Sequence, residues 1–370
     1  MMLATPAAVA VAVLALAFAN GANDNAKGVA TLIGAGRLGC RRAIVYATGA
    51  TLLGSALALV LAQGLLARFS GKGILAPELT ETPQLALSVG AAAAATVLLA
   101  TRLGLPVSTT HALVGALAGV GLASGSLHGG ALVAWFLGPL LLSPPLALGV
   151  TASAYPALRR LRLALGVHHE TCVCVVADPV PVDAGGAAAA RSSGLRVVRS
   201  EARRCSGYSG TVAGISAQRA LDGCHLLTAG AVSLARGVND TPKIAALLVV
   251  AAPLSDTTTA PSLLLVGAAI AAGGLLAARR VATTMSHRIT AMNDGQAFTA
   301  NLATALMVLV ASRFGVPVST THVSVGALFG IGAVSGTARW RTIGAILLSW
   351  VAVLPMAAGI AAGTWWLLER

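Results

Sequence analysis

The chain has 370 residues, 56% hydrophobic and only 10% charged, with a mean hydropathy of +0.83. Soluble domains carry roughly a quarter charged residues, so this composition excludes an ordinary soluble fold and points to a bilayer. The net charge of +13 goes with just 4% aromatic residues, too few for a base-stacking nucleic-acid binder, and the basic residues sit in short loops between apolar spans.

The first apolar run starts near Leu3, has no basic leader, and continues straight into Gly21-Ala-Asn-Asp-Asn-Ala-Lys-Gly. It therefore predicts a first membrane helix rather than a cleaved signal peptide. Further apolar segments approach the roughly 20 residues needed to cross a bilayer core. They run near 3–36, 43–67, 84–101, 109–124, 128–155, 225–252, 262–278, 297–312, 317–335 and 343–367. Four of these are short, and Pro-Val-Ser-Thr-Thr-His joins them in pairs at Pro106–His111 and Pro317–His322. Proline lacks an N–H and biases its predecessor away from helix, so both motifs mark helix breaks. The segments 84–124 and 297–335 are predicted as re-entrant helical hairpins whose tips reach mid-membrane.

Basic loops support that topology. With Arg37, Arg41 and Arg42 inside, the 68–83 loop lies outside, a hairpin returns there, and the next crossing delivers Arg159, Arg160 and Arg162 inside. In the second half, the loop 253–261 has no Lys or Arg and lies outside, while Arg279, Arg280, Arg288, Arg339 and Arg341 fall inside. Each half then has three full crossings and one hairpin. An odd number of crossings inserts the second copy upside down, giving an inverted repeat. The predicted fold is an all-α integral membrane protein. Residues 1–155 form the N-terminal repeat, 156–223 a polar cytoplasmic linker, and 224–370 the C-terminal repeat. Both termini are expected outside the inner (cell) membrane, and lipid is the surrounding partner.

The linker carries nine Arg against five Asp plus Glu and is expected to hold some amphipathic helix. His168, His169, Cys172 and Cys174 lie close together, but a C-x-C pair is too tight for tetrahedral zinc. The five cysteines are scattered and describe no disulfide framework.

The repeat is explicit in the sequence. Thr101–Gly121 and Ser312–Gly332 match at 14 of 21 positions, and Gly21-Ala-Asn-Asp is answered by Gly237-Val-Asn-Asp. Asp24 and Asp240 are carboxylates in apolar spans, costly there and hence functional candidates. With Asn23 and Asn239 they offer oxygens to a hard cation. The alternative is an ion pair with Lys27 or Lys243, each three residues on. Gly21, Gly28, Gly237 and Pro242 suggest that both helices break here. Ser108, Thr109, Thr110, Ser319, Thr320 and Thr321 begin half-helices, where hydroxyls and free N–H groups suit an oxyanion such as phosphate or sulfate. Simple N-capping is the alternative. Arg102 and Arg313, four residues before each proline, fit either charge balance for the anion or anchoring at the membrane interface, as Lys27 and Lys243 fit charge balance between transport steps. His111 and His322 could titrate or simply pack.

Gly34-Ala-Gly36-Arg-Leu-Gly39 fits a dinucleotide fingerprint but lacks a βαβ setting. Asn239-Asp-Thr241 is a glycosylation sequon only in form, being predicted at membrane depth. No motif of an enzyme occurs.

GANDNAKG, GVNDTPK and the doubled PVSTTH resemble the inorganic phosphate transporter family, PiT, as does the stretch 279–308 before the second PVSTTH. The resemblance covers both membrane halves. It implies a secondary transporter carrying phosphate with Na⁺ or H⁺, with no ATP, no cofactor and no metal beyond Na⁺ at Asp24 and Asp240. It assigns cation coupling to Asn23, Asp24, Asn239 and Asp240, and phosphate to Ser108, Thr109, Thr110, Ser319, Thr320 and Thr321. Many members have a second small-residue/Asn pair after the first Asn-Asp, where this chain has Asn25-Ala26-Lys27. Some relatives carry sulfate. A homodimer is compatible with this picture.

Overall fold

Apolar runs punctuated by glycine, proline and short polar turns fold into long helices. In the computed structural model, residues 6–168, 170–177, 195–201, 211–251, 256–287 and 292–370 are described. His169, Cys205, Arg288, the loop 252–255 and the chain before Pro6 lie outside them.

The first half comprises α1 (Pro6–Asp24), a short α2 (Ala30–Gly34), α3 (Cys40–Leu61), α4 (Gln63–Phe69), α5 (Pro83–Arg102), α6 (Thr109–Ala123) and α7 (Gly129–Ala164). A π-helical turn interrupts α7 at Val133–Leu137. The second half comprises α8 (Ala217–Ala251), α9 (Asp256–Ala277), α10 (Arg279–His287), α11 (Asp294–Arg313), α12 (Thr320–Ser335) and α13 (Trp340–Glu369). Among the described residues, seven helices are long and apolar enough to cross a membrane, while α6 and α12 are shorter apolar helices.

The two halves are woven together. α1 packs on α5 and α9, and α8 packs correspondingly on α11 and α3. α6 lies against α13, and α12 against α7. Each contact thus occurs twice, with the halves exchanged. Gly21 and Gly237, which open the two Asn-Asp motifs, show why the motif begins with glycine. A Cβ at Gly21 would strike the backbone of Ile270 on α9, and one at Gly237 the backbone of Thr51 on α3. Small residues allow this backbone approach where lipid offers no hydrophobic drive between helices. Apolar side chains including Val13, Leu16, Val89, Val97, Leu113 and Leu117 fill the core around the first-half helices.

Three expectations are corrected. The protein is mostly but not wholly helical, because the linker holds an antiparallel sheet of order β2-β1-β3 built from β1 (Thr171–Ala177), β2 (Leu195–Glu201) and β3 (Thr211–Ser216). Valine-rich segments such as Cys172-Val-Cys-Val-Val favour the pleated backbone over an amphipathic helix. Cys174 within that sheet is disulfide-bonded, a bond its scattered spacing does not announce. Finally, the chain breaks after Asp24, where a turn spans 25–29, but α8 runs unbroken through Asp240 and Pro242. A proline removes only one helical hydrogen bond, and membrane helices tolerate that when neighbouring groups satisfy the freed carbonyl.

Candidate functional site

The two Pro-Val-Ser-Thr-Thr-His segments build corresponding turns. α5 ends at Arg102 and α11 at Arg313, and Gly104 (φ +70°) and Gly315 (φ +64°) then take the left-handed conformation that ends each helix. Ser108 and Ser319 cap the following helices, their hydroxyls accepting from the N–H groups of His111 and His322 at 3.0 and 3.2 Å. Capping is therefore the local job of both serines. The threonines behind them make contacts across the molecule, Thr110 with Val318 and Lys243 and Thr321 with Val107 and Lys27.

Between these breaks, the Asn-Asp motifs of α1 and α8 converge. Asn20 Nδ2 lies 3.4 Å from Asp24 Oδ2, 3.2 Å from Asp240 Oδ2 and 3.0 Å from Thr109 Oγ1. One amide thus joins both aspartates to the first hydroxyl cluster. Asn23 donates to Leu105 O (2.9 Å) and Thr101 Oγ1 (3.0 Å) and accepts from Val107 N–H (3.1 Å). Asn239 donates to Val318 O (3.3 Å) and Asp240 Oδ1 (2.9 Å), and accepts from the Ser312 hydroxyl (3.1 Å). Both asparagines hold the irregular backbone of the breaks and the helix ends beside them.

The lysines reach across. Lys27 Nζ donates to Asp24 Oδ1 (2.5 Å), to Val107 O (2.9 Å) and to Thr321 Oγ1 of the other half. Lys243 Nζ donates to Val318 O (2.6 Å) and Thr110 Oγ1 (2.9 Å) and stands 3.7 Å from Asp240 Oδ1. The ion pairs weighed against cation coordination are thus both present. Thr110 and Thr321 also donate to Val318 O and Val107 O. Thr320 is buried on the same turn as Thr321. The Asn-Asp residues, both lysines and all six hydroxyls are at most 4% exposed.

Arg236 is the residue that sequence reasoning missed. It is 2% exposed and donates to Asn20 Oδ1 (3.2 Å), Asn25 Oδ1 (3.1 Å) and Thr51 Oγ1 (2.8 Å). An arginine inside an apolar span was signal enough to find it. By contrast, Arg102 and Arg313 are exposed and stand outside the cluster, against a role in neutralising a buried anion. Arg102 instead lines, with Arg279 and Arg280, an open cavity of about 800 Å³ whose wall includes Ala22 and Thr101, next to Asn23. His111 and His322 stack on each other with ring centroids 4.3 Å apart, and Trp350 covers His322 at 3.9 Å. Asn239 is fully buried, which excludes glycosylation there.

Such an arrangement offers hydroxyls and cations to an anion, beside two carboxylates that hold positive charge in place. Comparison with known proteins gives the family. The sequence pattern described as the phosphate transporter family matches residues 20–361. The chain belongs to the phosphate transporter family. Within that family, a protein of Pyrococcus furiosus provisionally named a phosphate permease is 28% identical, over 94% of this chain and 92% of its own length. Inorganic phosphate transporter 2-1, chloroplastic, of Arabidopsis thaliana is 28% identical over 95% of this chain and 70% of its own. A solved structure titled "The sodium-dependent phosphate transporter" superposes with a TM-score of 0.75, covering 98% of both chains at 22% identity, and so shares the fold. Membership of this family, together with the apolar helices, makes the chain a multi-pass membrane transporter.

Proposed function

We propose that this family member is a secondary transporter that takes up inorganic phosphate together with a cation, Na⁺ or H⁺, by alternating access and without ATP. The observation that carries it is the convergence on Asn20, whose amide lies within 3.4 Å of Asp24, Asp240 and Thr109, so that groups from both halves meet at one buried point. Phosphate binds among Thr109, Thr110, Thr320 and Thr321, on the turns capped by Ser108 and Ser319, while Asp24 and Asp240 hold the positive charge that accompanies it. Opposite charges in a low-dielectric site strengthen each other, so anion and cation bind cooperatively.

The breaks at Pro106 and Pro317 are the tips of two re-entrant hairpins in inverted halves, and rocking one half on the other opens the site to each side in turn. The exchanged helix contacts and the one-sided basic loops support this. So does the match to a sodium-dependent phosphate transporter at the level of fold. In this scheme the linker is cytoplasmic, both termini are outside, and the membrane is the cell's inner membrane.

The test is phosphate uptake into proteoliposomes with Na⁺ and pH gradients imposed separately. Asp24→Asn and Asp240→Asn are expected to abolish coupled uptake while inserting normally. Normal transport in both variants would refute the assigned roles.

A further inference from the structure

The two lysines sit where a coupling metal ion would be expected. Each ammonium is surrounded by one carboxylate, one backbone carbonyl from a helix break and one threonine hydroxyl, drawn from both halves. For Lys27 these are Asp24, Val107 and Thr321; for Lys243 they are Asp240, Val318 and Thr110. Hard oxygens of these kinds are what a small inorganic cation takes. An ammonium has three N–H donors and no acceptor, so the three hydrogen-bonded oxygens saturate Lys27, while Lys243 makes two hydrogen bonds and pairs with Asp240 at 3.7 Å. The nearest carbonyl at each break, Val107 O or Val318 O, already receives both a lysine and a threonine hydroxyl.

Charge points the same way. Among the described residues, the buried Asp, Glu, Lys and Arg side chains are Asp24, Asp240, Lys27, Lys243 and Arg236, all in this cluster. Three cations against two carboxylates leave one positive charge, which a phosphate monoanion neutralises. A metal ion added at either aspartate would lie beside an ammonium and raise the excess, and like charges repel strongly in a medium of low dielectric.

We propose that the tethered ammonium groups of Lys27 and Lys243 take the place of Na⁺ in the anion site, so that phosphate binding and uptake are independent of Na⁺ and the proton is the coupling ion. This rests on the cluster being the phosphate site. It assigns the lysines a role in setting ion selectivity, beyond charge balance.

The experiment measures radiolabelled phosphate binding by the purified wild-type protein, and uptake by proteoliposomes, in choline chloride and in sodium chloride of equal ionic strength. Uptake is measured with and without an inward proton gradient. The expected result is binding and uptake that differ less than about twofold between the two salts, with uptake raised by the proton gradient. Wild-type binding or uptake that increases about tenfold or more with Na⁺ would overturn the lysine assignment and leave the phosphate site standing. Absence of phosphate binding and uptake in both salts would remove the site itself, and the lysine assignment with it.

A second arm uses Lys27→Asn and Lys243→Asn, which place a neutral amide oxygen in each of the two cages. Weakened phosphate binding in choline that Na⁺ restores at least in part supports the assignment. Folded variants that bind phosphate as the wild type does in choline would overturn it.

Discussion

Arg236 donates a hydrogen bond to the side-chain oxygen of Asn20 at 3.2 Å, although the two residues hold the same register in the two halves, each three positions before an Asn-Asp pair. The duplication therefore fails at this buried position and turns the failure into a contact. Asn20 directs its nitrogen to both aspartates and Thr109, while its oxygen receives the guanidinium. One half supplies a neutral amide and the other a cation, and the site becomes positively charged as a result.

Arg236→Met removes that cation and leaves the oxygens of Asn20, Asn25 and Thr51 without their donor. Breaking a buried charged network costs about 3–5 kcal/mol, so a lower melting temperature is expected. Phosphate affinity should fall at least tenfold, roughly 1.4 kcal/mol. Arg236→Lys keeps the charge but loses the planar fork and should fall between. Calorimetric titration of the purified protein with phosphate, beside thermal unfolding, checks both effects. Unchanged phosphate affinity in Arg236→Met would reduce the residue to packing.

Asn20→Asp and Asn20→Ala separate bridging from charge. Alanine deletes the bridge between the two aspartates and should weaken phosphate binding by about tenfold, the loss of one or two buried hydrogen bonds. Aspartate places a third carboxylate against Asp24 and Asp240 and cancels the excess positive charge. Its expected effect is larger, about a hundredfold, because like charges are forced together in a dry site. Equal effects of the two substitutions in the binding assay would count against the electrostatic account.

The six hydroxyls should divide into two classes. Ser108→Ala and Ser319→Ala remove helix caps and are expected to cost about 0.5–2 kcal/mol of stability each. Thr110→Val and Thr321→Val keep the shape but remove the hydroxyls that meet the lysines, so their effect should fall mainly on phosphate affinity. Melting temperatures and phosphate affinities of the four variants check this. Serine variants that lose affinity without losing stability would place Ser108 and Ser319 on the substrate instead.

A second polar contact ties the halves together away from the cluster. Arg37, just past α2, pairs with Asp294 at the start of α11 (2.5 Å) and with Asp222 on α8 (3.1 Å). Partly exposed pairs of this kind are worth about 1 kcal/mol or less, a factor of about five in an equilibrium. Asp294→Asn is therefore expected to change the maximal uptake rate by up to about that factor while leaving phosphate affinity unaltered, if the contact closes one side of the carrier. A changed affinity with an unchanged rate would contradict it.

Much of this protein follows from short-range rules. A proline and a capping serine act within a few residues, so the breaks at Pro106 and Pro317 were legible from the chain alone. So were the doubled motifs and the burial of Asp24 and Asp240, because a carboxylate in an apolar run carries its own penalty. The sheet between the halves was hidden by a compositional view of the linker, although its alternating valines carried the signal. The continuity of α8 through Pro242 was hidden because proline's effect depends on what surrounds it.

Other features were decided only by packing. Lys27 meets Thr321 across 294 residues of chain, and Arg236 meets Asn20 across 216. No periodicity encodes such pairs, since helix spacing says which face a side chain occupies but not what stands opposite. Residue type established that charge and hydroxyls were buried. The crossing of α1 with α8, and of each helix break with the opposite half, decided which oxygen each buried cation would meet.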